Sequence, residues 1–426
     1  MMPVMRYRSF ARAIEQRLAE SNTQDWPFVL LSIDVARLNW YDQDYDFRRN
    51  SPTNRALINT LGQLLPASHL LCRRSQTSFL ALVDISPNTN RHTINQRIYG
   101  LDVLPIDDTV RLSFAGGVTV GATQFPRHGT DLRALIEQAD RACIEAKRYE
   151  TRQKILWYSP RLLKRQKRRH DIGIALRHAV YERQIQAHYQ PEVDIPSGRI
   201  IGFEALARWH CPGYGAVSAQ EFIEAAEEKN LIVPLTSHML EQVLADLPKL
   251  KAHFANATVA LNISPKLFVN ALIVNIVQDL SDKHQLPKGL VFEITENELP
   301  MRLSHLTAQL RTLRGLGLKI ALDDFGQGYS SLSRLSNLPL DTLKIDASLV
   351  LRNREGINDK IIQMIVSLGR VLGLAVIAEG LETEAQQQCL LDAGCNQAQG
   401  WYYSRALPID QALALPDHIT PHEASC

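Results

Sequence analysis

Residues 318–332 read LKIALDDFGQGYSSL, an apolar run that ends in two adjacent carboxylates and a glycine-containing loop. A run of this kind is typical of a buried strand, and Asp323 and Asp324 fall where that strand ends. Parallel-sheet enzymes carry their chemistry at this end of a strand. Neighbouring side chains in a strand point to opposite faces, so we expect the strand end to fray and both carboxylates to turn toward one ligand. Two buried like charges favour a divalent cation, and the alternative is a solvated turn that caps the next helix.

Length and composition place the chain among soluble globular proteins with two domains. It has 426 residues, of which 45% are hydrophobic and 22% charged, and its net charge of +2 argues neither for nor against a nucleic-acid partner. Six cysteines without a CxxC pair are typical of reduced thiols. No apolar run reaches membrane-spanning length, and the N-terminal residues lack the apolar core of a signal peptide. We therefore expect a cytoplasmic location and no membrane insertion.

The first part of the chain mixes strand and helix patterns, which predicts an N-terminal helix within residues 1–24 and a compact α/β domain over residues 25–158. The predicted elements are a helix at Tyr7–Glu20, a strand at Trp26–Asp34, a helix at Ser51–Leu65, two strands within Leu70–Asp84 joined by a polar turn, a strand at Val110–Val120 and a helix at Asp131–Arg148.

This domain resembles the GGDEF family, which has the diguanylate cyclase fold. The resemblance is carried by Ser32-Ile-Asp-Val35, the hairpin that ends in Phe79, Ser113-Phe-Ala-Gly-Gly-Val118 and the segment 139–147. The hairpin departs from the family pattern, because Ser75-Gln76-Thr77-Ser78-Phe79 stands where the family has Gly-Gly-Asp/Glu-Glu-Phe.

That departure predicts a catalytically inactive domain. Glycine lets a backbone approach a nucleotide closely and the acids hold metal, so the four substituted positions lose both properties. Asp34 matches one metal-binding acid of the family, whereas the second position is Ala36, and Pro66 and His69 replace the family's inhibitory Arg-x-x-Asp. The resemblance leaves three roles open: a regulatory module, a dimerising module, or a domain that still binds GTP.

Between the two halves, residues 159–170 are dense in Lys and Arg. A basic run raises nucleic-acid binding as an alternative. Apolar residues at helical spacing follow directly in residues 171–180, so we interpret the charges as the solvated face of a linker helix. No aromatic platform of the kind that binds single strands accompanies it, and we expect no nucleic-acid polymer as a partner.

Beyond this linker, apolar strand-like segments alternate with helical ones, and each strand ends in a chemically capable residue. This pattern predicts a (β/α)8 TIM-like barrel of parallel strands with one site at its carboxyl end. Each acid taken alone has the alternative of a helix N-cap. The six segments are Ile200–Glu204, Ala257–Asn262, Gly289–Glu293, Leu318–Asp323, Asp341–Lys344 and Leu374–Glu379.

Residues 171–415 closely resemble the EAL family of cyclic di-GMP phosphodiesterases, leaving residues 416–426 as a tail. The resemblance is carried by an ordered set of motifs: Glu204-Ala-Leu206, Phe222–Glu227, Leu261–Ser264, Phe292–Glu296, Asp323–Gly326, Leu343–Asp346, Ala378–Glu382 and Ala398–Gly400.

The resemblance implies a site with two metal ions. One ion would be held by Glu204, Asn262, Glu293 and Asp323, and the second would share Asp323 and use Asp324. Oxygen ligands without His or Cys favour Mg2+ or Mn2+ over zinc. Two such ions can clamp the attacking and leaving oxygens of an in-line phosphodiester displacement.

The resemblance also assigns roles around these ligands. Lys344 would position the attacking water, with a snorkelling lysine as the alternative, and Glu379 would be the general base. Glu296 would anchor the loop Phe325–Ser331, in which Gln327 replaces the usual Thr. The implied substrate contacts are Gln190, Leu206, Arg208, Glu382 and Gln399.

The sequence thus predicts hydrolysis of cyclic di-GMP to linear 5′-pGpG. The alternative is a receptor that binds cyclic di-GMP without cleaving it. From the family we also expect a homodimer and, as a hypothesis, an effect of GTP on the barrel through the degenerate domain.

Overall fold

The computed structural model describes residues 4–20, 27–35, 52–65, 69–86, 90–99, 103–105, 111–113, 118–147, 154–283, 286–295, 303–326, 335, 337–351 and 357–420. The chain divides into two compact units, Met1–Lys167 and Arg168–Cys426. The division falls inside the basic segment 159–170, and a single helix, Pro160–Tyr181, continues across it.

The first unit is built on a five-stranded sheet, whose strands follow the order β2 (His69–Arg73), β3 (Ser78–Asp84), β1 (Phe28–Asp34), β6 (Thr119–Phe125) and β7 (Ile155–Trp157). Its central strand β1 is antiparallel to both β3 and β6. Along β1, Val29, Leu31 and Ile33 face one apolar cluster, whereas Phe28 and Leu30 face another. Because both faces are covered, the strand is a continuous apolar run instead of an alternating one.

The first unit departs from the predicted pattern in two ways. The helix Arg91–Tyr99 and the strands Val103–Pro105 and Ile155–Trp157 were not predicted, and the predicted strand Val110–Val120 is not one strand. The predicted strand Val110–Val120 is wrong, because β5 (Arg111–Ser113) pairs with β4 (Val103–Pro105) in a separate two-stranded sheet, while β6 pairs with β1. The strands are β1 Phe28–Asp34, β2 His69–Arg73, β3 Ser78–Asp84, β4 Val103–Pro105, β5 Arg111–Ser113, β6 Thr119–Phe125 and β7 Ile155–Trp157, and the helices are Tyr7–Glu20, Pro52–Leu64, Arg91–Tyr99 and Leu132–Ala146.

The second unit is a closed eight-stranded barrel, which confirms the predicted fold class. Strand β8 (Gln186–Asp194) pairs with both β9 (Arg199–Cys211) and β16 (Gln397–Gln399), so the sheet closes on itself. The barrel strands are β8 Gln186–Asp194, β9 Arg199–Cys211, β11 Thr258–Asn262, β12 Leu290–Thr295, β13 Lys319–Phe325, β14 Thr342–Ile345, β15 Ala375–Ala378 and β16 Gln397–Gln399; β10 Gly215–Val217 and β17 Leu407–Pro408 extend the sheet.

All six predicted barrel strands are present, but the expectation of an all-parallel barrel is wrong. β8 runs antiparallel to both of its neighbours, β9 and β16. β8 carries Pro191 and several polar residues, and β16 has only three residues, so neither gives the apolar run that marks a buried strand. The other pairs, from β9 through β16, are parallel.

Helices cover the outside of the barrel, and several begin at side-chain caps. Ser218 accepts from the amide of Glu221, and Thr383 forms a capping box with Gln386. None of the helices within the described ranges has the length and apolar character needed to cross a bilayer. The helices are Ala219–Glu228, Ile232–His253, Leu272–Lys283, Leu303–Gly315, Ala347–Leu351, Ile357–Leu372, Glu384–Asp392 and Ile409–Leu413, with a 3-10 segment at Pro265–Ala271.

Candidate active site

Strand register brings the predicted site residues to one end of the barrel. Asn262 lies opposite Glu293, and Asp323 lies opposite Thr295 on the neighbouring strand. Gln190 on the antiparallel strand β8 lies opposite Glu204 on β9. Parallel strands carry their carboxyl ends to the same rim, so these side chains share one layer.

Lys344 lies at the centre of this layer. Its side chain is completely buried, and its Nζ lies 2.7 Å from Glu293 Oε1 and 2.6 Å from Glu379 Oε1. Glu204 Oε2 is farther away, at 3.4 Å. Lys344 does not reach the surface of the protein, so the snorkelling alternative does not describe it.

Glu204 is the hub of a hydrogen-bond network. Its carboxylate accepts from Asn262 Nδ2 at 2.6 Å and from Gln399 Nε2 at 2.6 Å. The Gln399 amide also donates to Gln190 Oε1 at 3.1 Å, and Gln190 Nε2 donates to the Ser404 carbonyl at 3.1 Å. These bonds fix the orientation of Glu204 through groups on three other strands and a loop.

A β-bulge places the two adjacent aspartates on the same side of β13. The pairing with β14 shifts register between Leu322 and Phe325, and Asp324 has a left-handed φ of 56°. The expectation of a frayed strand end is therefore wrong, since the strand continues to Phe325 and the bulge redirects the side chain. One carboxylate oxygen from each of Asp323, Asp324 and Glu379 lies within 4.8 Å of the others.

The crowding of buried acids around Lys344 shifts the pKa values of their carboxyl groups. Burial raises the pKa of Glu379 to about 8 and, together with the charge of Asp323, that of Asp324 to about 7. Burial also raises the pKa of Asp323 and that of Glu293. Glu204 is the exception, because Lys344, Gln399 and Asn262 outweigh its burial and lower its pKa.

The residues present fit a pair of hard divalent cations. The buried carboxylate of Glu293 accepts no hydrogen bond from the described residues, although its Oε1 lies at ion-pair distance from Lys344. The Lys344 charge interacts with four carboxylates at once, so the layer carries excess negative charge when all are ionised. Every donor is a carboxylate or amide oxygen, as Mg2+ and Mn2+ prefer. The division of ligands between two ions stays a prediction.

The remaining predicted residues differ in exposure. Leu206 and Arg208 are half-buried on β9, and Glu382 is exposed after β15. Gly380, next to Glu379, has a φ of 72°, and a Cβ there would lie 2.6 Å from the Cβ of Ala347. Glu296 and loop residues 327–331 lie outside the described residues, so the loop-anchoring role stays a prediction.

Two buried acids in the barrel were not predicted as site residues. Glu192 lies on β8, and burial raises its pKa to about 7. Asp346 follows β14, accepts from the Ser348 amide at 2.9 Å, and interacts with Asp324. Asp346 follows an apolar strand pattern in the sequence, so it could have been predicted as a site residue. β8 is polar and contains a proline, so its sequence did not indicate that Glu192 is buried in the barrel.

In the first unit, the hairpin residues 75–79 span the β2–β3 turn and the start of β3. The Ser75 hydroxyl accepts from the amides of Thr77 at 3.3 Å and Ser78 at 3.0 Å. Asp34, at the end of β1 opposite Ser78, forms an ion pair with Lys147 at 2.6 Å. The turn amides and the Asp34 carboxylate therefore already have partners within the protein.

Two family models match the chain in sequence. The model described as "EAL domain" matches residues 174–406, and the model described as "Diguanylate cyclase, GGDEF domain" matches residues 6–153. The EAL match alone covers more than half of the chain.

Among curated relatives, the chain is similar to MucR of Pseudomonas aeruginosa, a bifunctional diguanylate cyclase/cyclic di-GMP phosphodiesterase. The two are 29% identical over 407 residues, 94% of this chain and 59% of MucR. NbdA of the same organism, a cyclic di-GMP phosphodiesterase, is 31% identical over 349 residues, 81% of this chain and 44% of NbdA. The chain spans about half the length of the curated relatives it matches.

Solved structures are similar in fold. The PaMucR phosphodiesterase in complex with c-di-GMP has a TM-score of 0.54 at 37% identity, and the match covers 57% of this chain and 99% of that one. Vibrio cholerae LapD, as an S helix-GGDEF-EAL chain, has a TM-score of 0.63 at 16% identity over 93% of each chain, a likeness of fold. Together with the sequence matches, these findings show that the chain belongs to the EAL-domain family, with a GGDEF domain preceding the EAL domain.

Proposed function

We propose that this protein is a metal-dependent phosphodiesterase that hydrolyses cyclic di-GMP to linear 5′-pGpG. The relatives named as cyclic di-GMP phosphodiesterases support a role in cyclic di-GMP signalling. The observation that carries the proposal is the layer of buried carboxylates around Lys344 at the carboxyl end of the barrel. A site whose acids are all present and oriented favours hydrolysis over mere binding, because a receptor needs no such concentration of buried charge.

The acid layer would hold the cations through Glu204, Asn262, Glu293, Asp323 and Asp324. Divalent cations bound there would neutralise the acids and polarise the scissile phosphodiester.

The chain's own residues would act on a water molecule and on the phosphate. Glu379 accepts a proton from the water at a carboxylate oxygen, and the water oxygen forms a bond to phosphorus in line with the departing 3′ oxygen. The phosphorus–3′ oxygen bond breaks, and that oxygen takes up a proton from solvent. Lys344 keeps Glu379 in place through its 2.6 Å contact and offsets negative charge that develops in the transition state. The product carries a 5′ phosphate.

Arg208 and Gln190 would orient the dinucleotide. Burial lowers the pKa of Arg208, whereas Glu204 raises it; the residue stays a cation whose fork matches a phosphate or a guanine edge. Gln190 is held by Ser404 and Gln399, so its position does not depend on substrate.

The GGDEF domain would have a regulatory role without cyclase activity. The hairpin lacks the glycines and acids that the family uses for nucleotide and metal. In addition, the Ser75 hydroxyl already accepts from two turn amides, and Asp34 is paired with Lys147. Incubation with GTP and Mg2+ is expected to yield no cyclic di-GMP.

The test is incubation of the purified full chain with cyclic di-GMP and Mg2+, with chromatographic identification of the product. Wild type is expected to form pGpG, and excess EDTA is expected to abolish the reaction. Glu204→Gln and Asp323→Asn each remove a ligand charge without changing size, and each is expected to lower turnover by at least about 100-fold.

A matched control is Glu224→Gln, an exposed acid on the helix Ala219–Glu228 outside the acid layer. It is expected to turn over like wild type. If wild type binds cyclic di-GMP but returns it unchanged with Mg2+ and with Mn2+, the protein is a receptor and the proposal fails.

A further inference from the structure

The first unit contains a cavity that is separate from the hairpin of the GGDEF domain. Its volume is about 440 Å3, within the range of small-molecule sites, and it is lined by Arg91, Arg127, His128, Trp157, Tyr158 and the segment 159–160. The cavity lies where β6 ends, because Arg127 and His128 follow Phe125, which pairs with Phe28 at the start of β1.

The hairpin lies at the other end of the same sheet. Ser78 pairs with Asp34 at the far end of β1, six residues from Phe28. At about 3.3 Å per residue, the two ends of β1 are about 20 Å apart. A ligand in the cavity would therefore not occupy the nucleotide position that the GGDEF hairpin defines.

The cavity carries positive charge without a matching acid. Within the described residues, neither Arg91 nor Arg127 forms an ion pair, and no carboxylate lines the cavity. Burial and the neighbouring Arg127 lower the pKa of Arg91, and burial with both arginines lowers that of His128. Two unpaired guanidinium groups that repel each other are a favourable environment for an anion.

The N-termini of two helices add to the positive charge of the cavity. Two helices begin at the cavity, Arg91–Tyr99 and Pro160–Tyr181, since Arg91 and Pro160 both line it. The N-terminus of a helix is the positive end of the helix dipole, which favours anions. Convergence of two such ends with two arginines favours a doubly charged group such as a phosphate monoester over a carboxylate.

Aromatic side chains form the other wall and are held in fixed positions. Trp157 donates from Nε1 to Asn95 at 2.8 Å, and the Arg91 guanidinium lies 4.8 Å from its ring centroid. His128 accepts at Nδ1 from the Gln124 amide at 3.0 Å, which leaves Nε2 as the donor of the neutral ring. The rings of His128 and Tyr158 pack edge to face, with their centroids 5.4 Å apart. A rigid aromatic wall beside a cationic one suits a planar ring joined to an anion.

From these observations we infer that the cavity binds an aromatic phosphate monoester in the size class of a nucleoside monophosphate. The two arginines and the two helix N-termini bind the phosphate, and Tyr158 and the edge of Trp157 contact the ring. The site does not depend on the phosphodiesterase activity proposed above.

The experiment is equilibrium dialysis of labelled AMP against the full chain, with inorganic phosphate as competitor. Wild type is expected to bind one AMP per chain. The double substitution Arg91→Gln with Arg127→Gln is expected to raise the AMP Kd by at least about tenfold, and Tyr158→Leu by a smaller factor. Inorganic phosphate is expected to compete at least about tenfold more weakly than AMP, because it lacks the ring.

Two matched controls locate the binding. Arg133→Gln removes an arginine that is 88% exposed and lies outside the cavity, and Glu204→Gln alters the barrel site. Both are expected to leave the AMP Kd unchanged. The inference is overturned if wild type shows no saturable AMP binding, if the double variant binds AMP like wild type, or if inorganic phosphate competes as well as AMP. Circular dichroism identifies a folded double variant, and Arg127→Lys provides a second, milder change if it does not fold.

Discussion

At the scale of single residues, the acid layer depends on one unusual backbone conformation. Asp324 has a φ of 56°, a region that Asn and Asp adopt more readily than other residues with side chains and that is strained for β-branched ones. This conformation brings its carboxylate to the side of Asp323 and Glu379. Substitutions of Asp324 can therefore test the charge of its carboxylate separately from its left-handed backbone conformation.

We expect Asp324→Asn to keep the fold and lose hydrolysis, and Asp324→Val to lose both stability and hydrolysis. Asn tolerates the left-handed conformation but cannot supply a charged ligand, whereas Val is strained there by about 1–2 kcal/mol. Denaturant unfolding of both variants should show the Val protein less stable than the Asn protein by that amount. Equal stabilities would mean that the bulge at Asp324 is absent.

A second prediction concerns protons released by metal binding. The raised pKa values of Glu379, about 8, and Asp324, about 7, mean that both carboxyls are substantially protonated at pH 7 before a cation binds. Asp324 must be ionised to hold a cation, and a cation bound near Glu379 lowers the pKa of that carboxyl, so Mg2+ binding should release protons and its affinity should rise with pH up to about 8. Calorimetry of Mg2+ binding in buffers of different ionisation enthalpy measures the number released. A value of zero at pH 7 would contradict these pKa shifts.

The sequence predicted which acids lie together around Lys344, but not how they are arranged; their roles stay predictions. Glu204, Glu293 and Lys344 each follow an apolar run in the sequence, the pattern that predicts a buried strand. The direction of the Asp324 side chain follows from a register shift against β14, a long-range pairing that local sequence does not encode. The central position of Lys344 likewise results from the convergence of four strands.

At the scale of secondary-structure elements, the barrel strands that were predicted are those that carry an apolar run in their own sequence. β12 contains the buried apolar run Leu290–Phe292 and β13 the buried apolar run Ile320–Leu322, so the pattern that marks each strand is local. β8 is buried although it is polar, because Gln190 bonds the Gln399 amide and the Ser404 carbonyl and Tyr189 donates to Asp246. A strand whose burial is made possible by partners elsewhere in the chain gives no apolar signal of its own.

The helix Ile357–Leu372 has an exposed apolar stripe at seven-residue spacing. Ile357, Met364 and Val371 are 58%, 63% and 82% exposed, while Ile362, Ile365 and Val366 on the other face are buried. Residues seven apart lie on one face of a helix, so the three side chains are aligned. This stripe supports the expected homodimer, with the helix of a second copy covering it.

We therefore expect Met364→Glu to convert a dimer into a monomer. A charge buried without a partner in an interface costs several kcal/mol, so the dimer Kd should rise by at least about 100-fold. Sedimentation velocity across a concentration series measures the change. Gln363→Glu introduces the same charge at an exposed neighbouring position off the stripe and should leave the dimer intact. A wild-type chain that is monomeric at all concentrations would rule out this interface.

At the scale of the whole molecule, the chain has two units, each with its own apolar core, and one continuous helix runs through the boundary between them. Two domains were expected from the chain length, and the boundaries predicted for them stay predictions. Whether the first unit influences the second cannot be derived from local pattern, since it depends on the relative stabilities of two states of the complete chain.

The hypothesis that GTP acts on the barrel through the GGDEF domain predicts that GTP changes the rate of cyclic di-GMP hydrolysis by the full chain. For such an effect, GTP must bind two states of the protein with different affinity, and couplings of this kind are typically about 5- to 150-fold. The measurement is pGpG formation across a GTP series at fixed free Mg2+, with CTP as the nucleotide control. Residues 168–420 alone retain the barrel core and the acid layer, so this fragment should hydrolyse cyclic di-GMP without responding to GTP. A full-length rate that is independent of GTP, or a fragment that responds like the full chain, would show that the first unit does not regulate the barrel through this nucleotide.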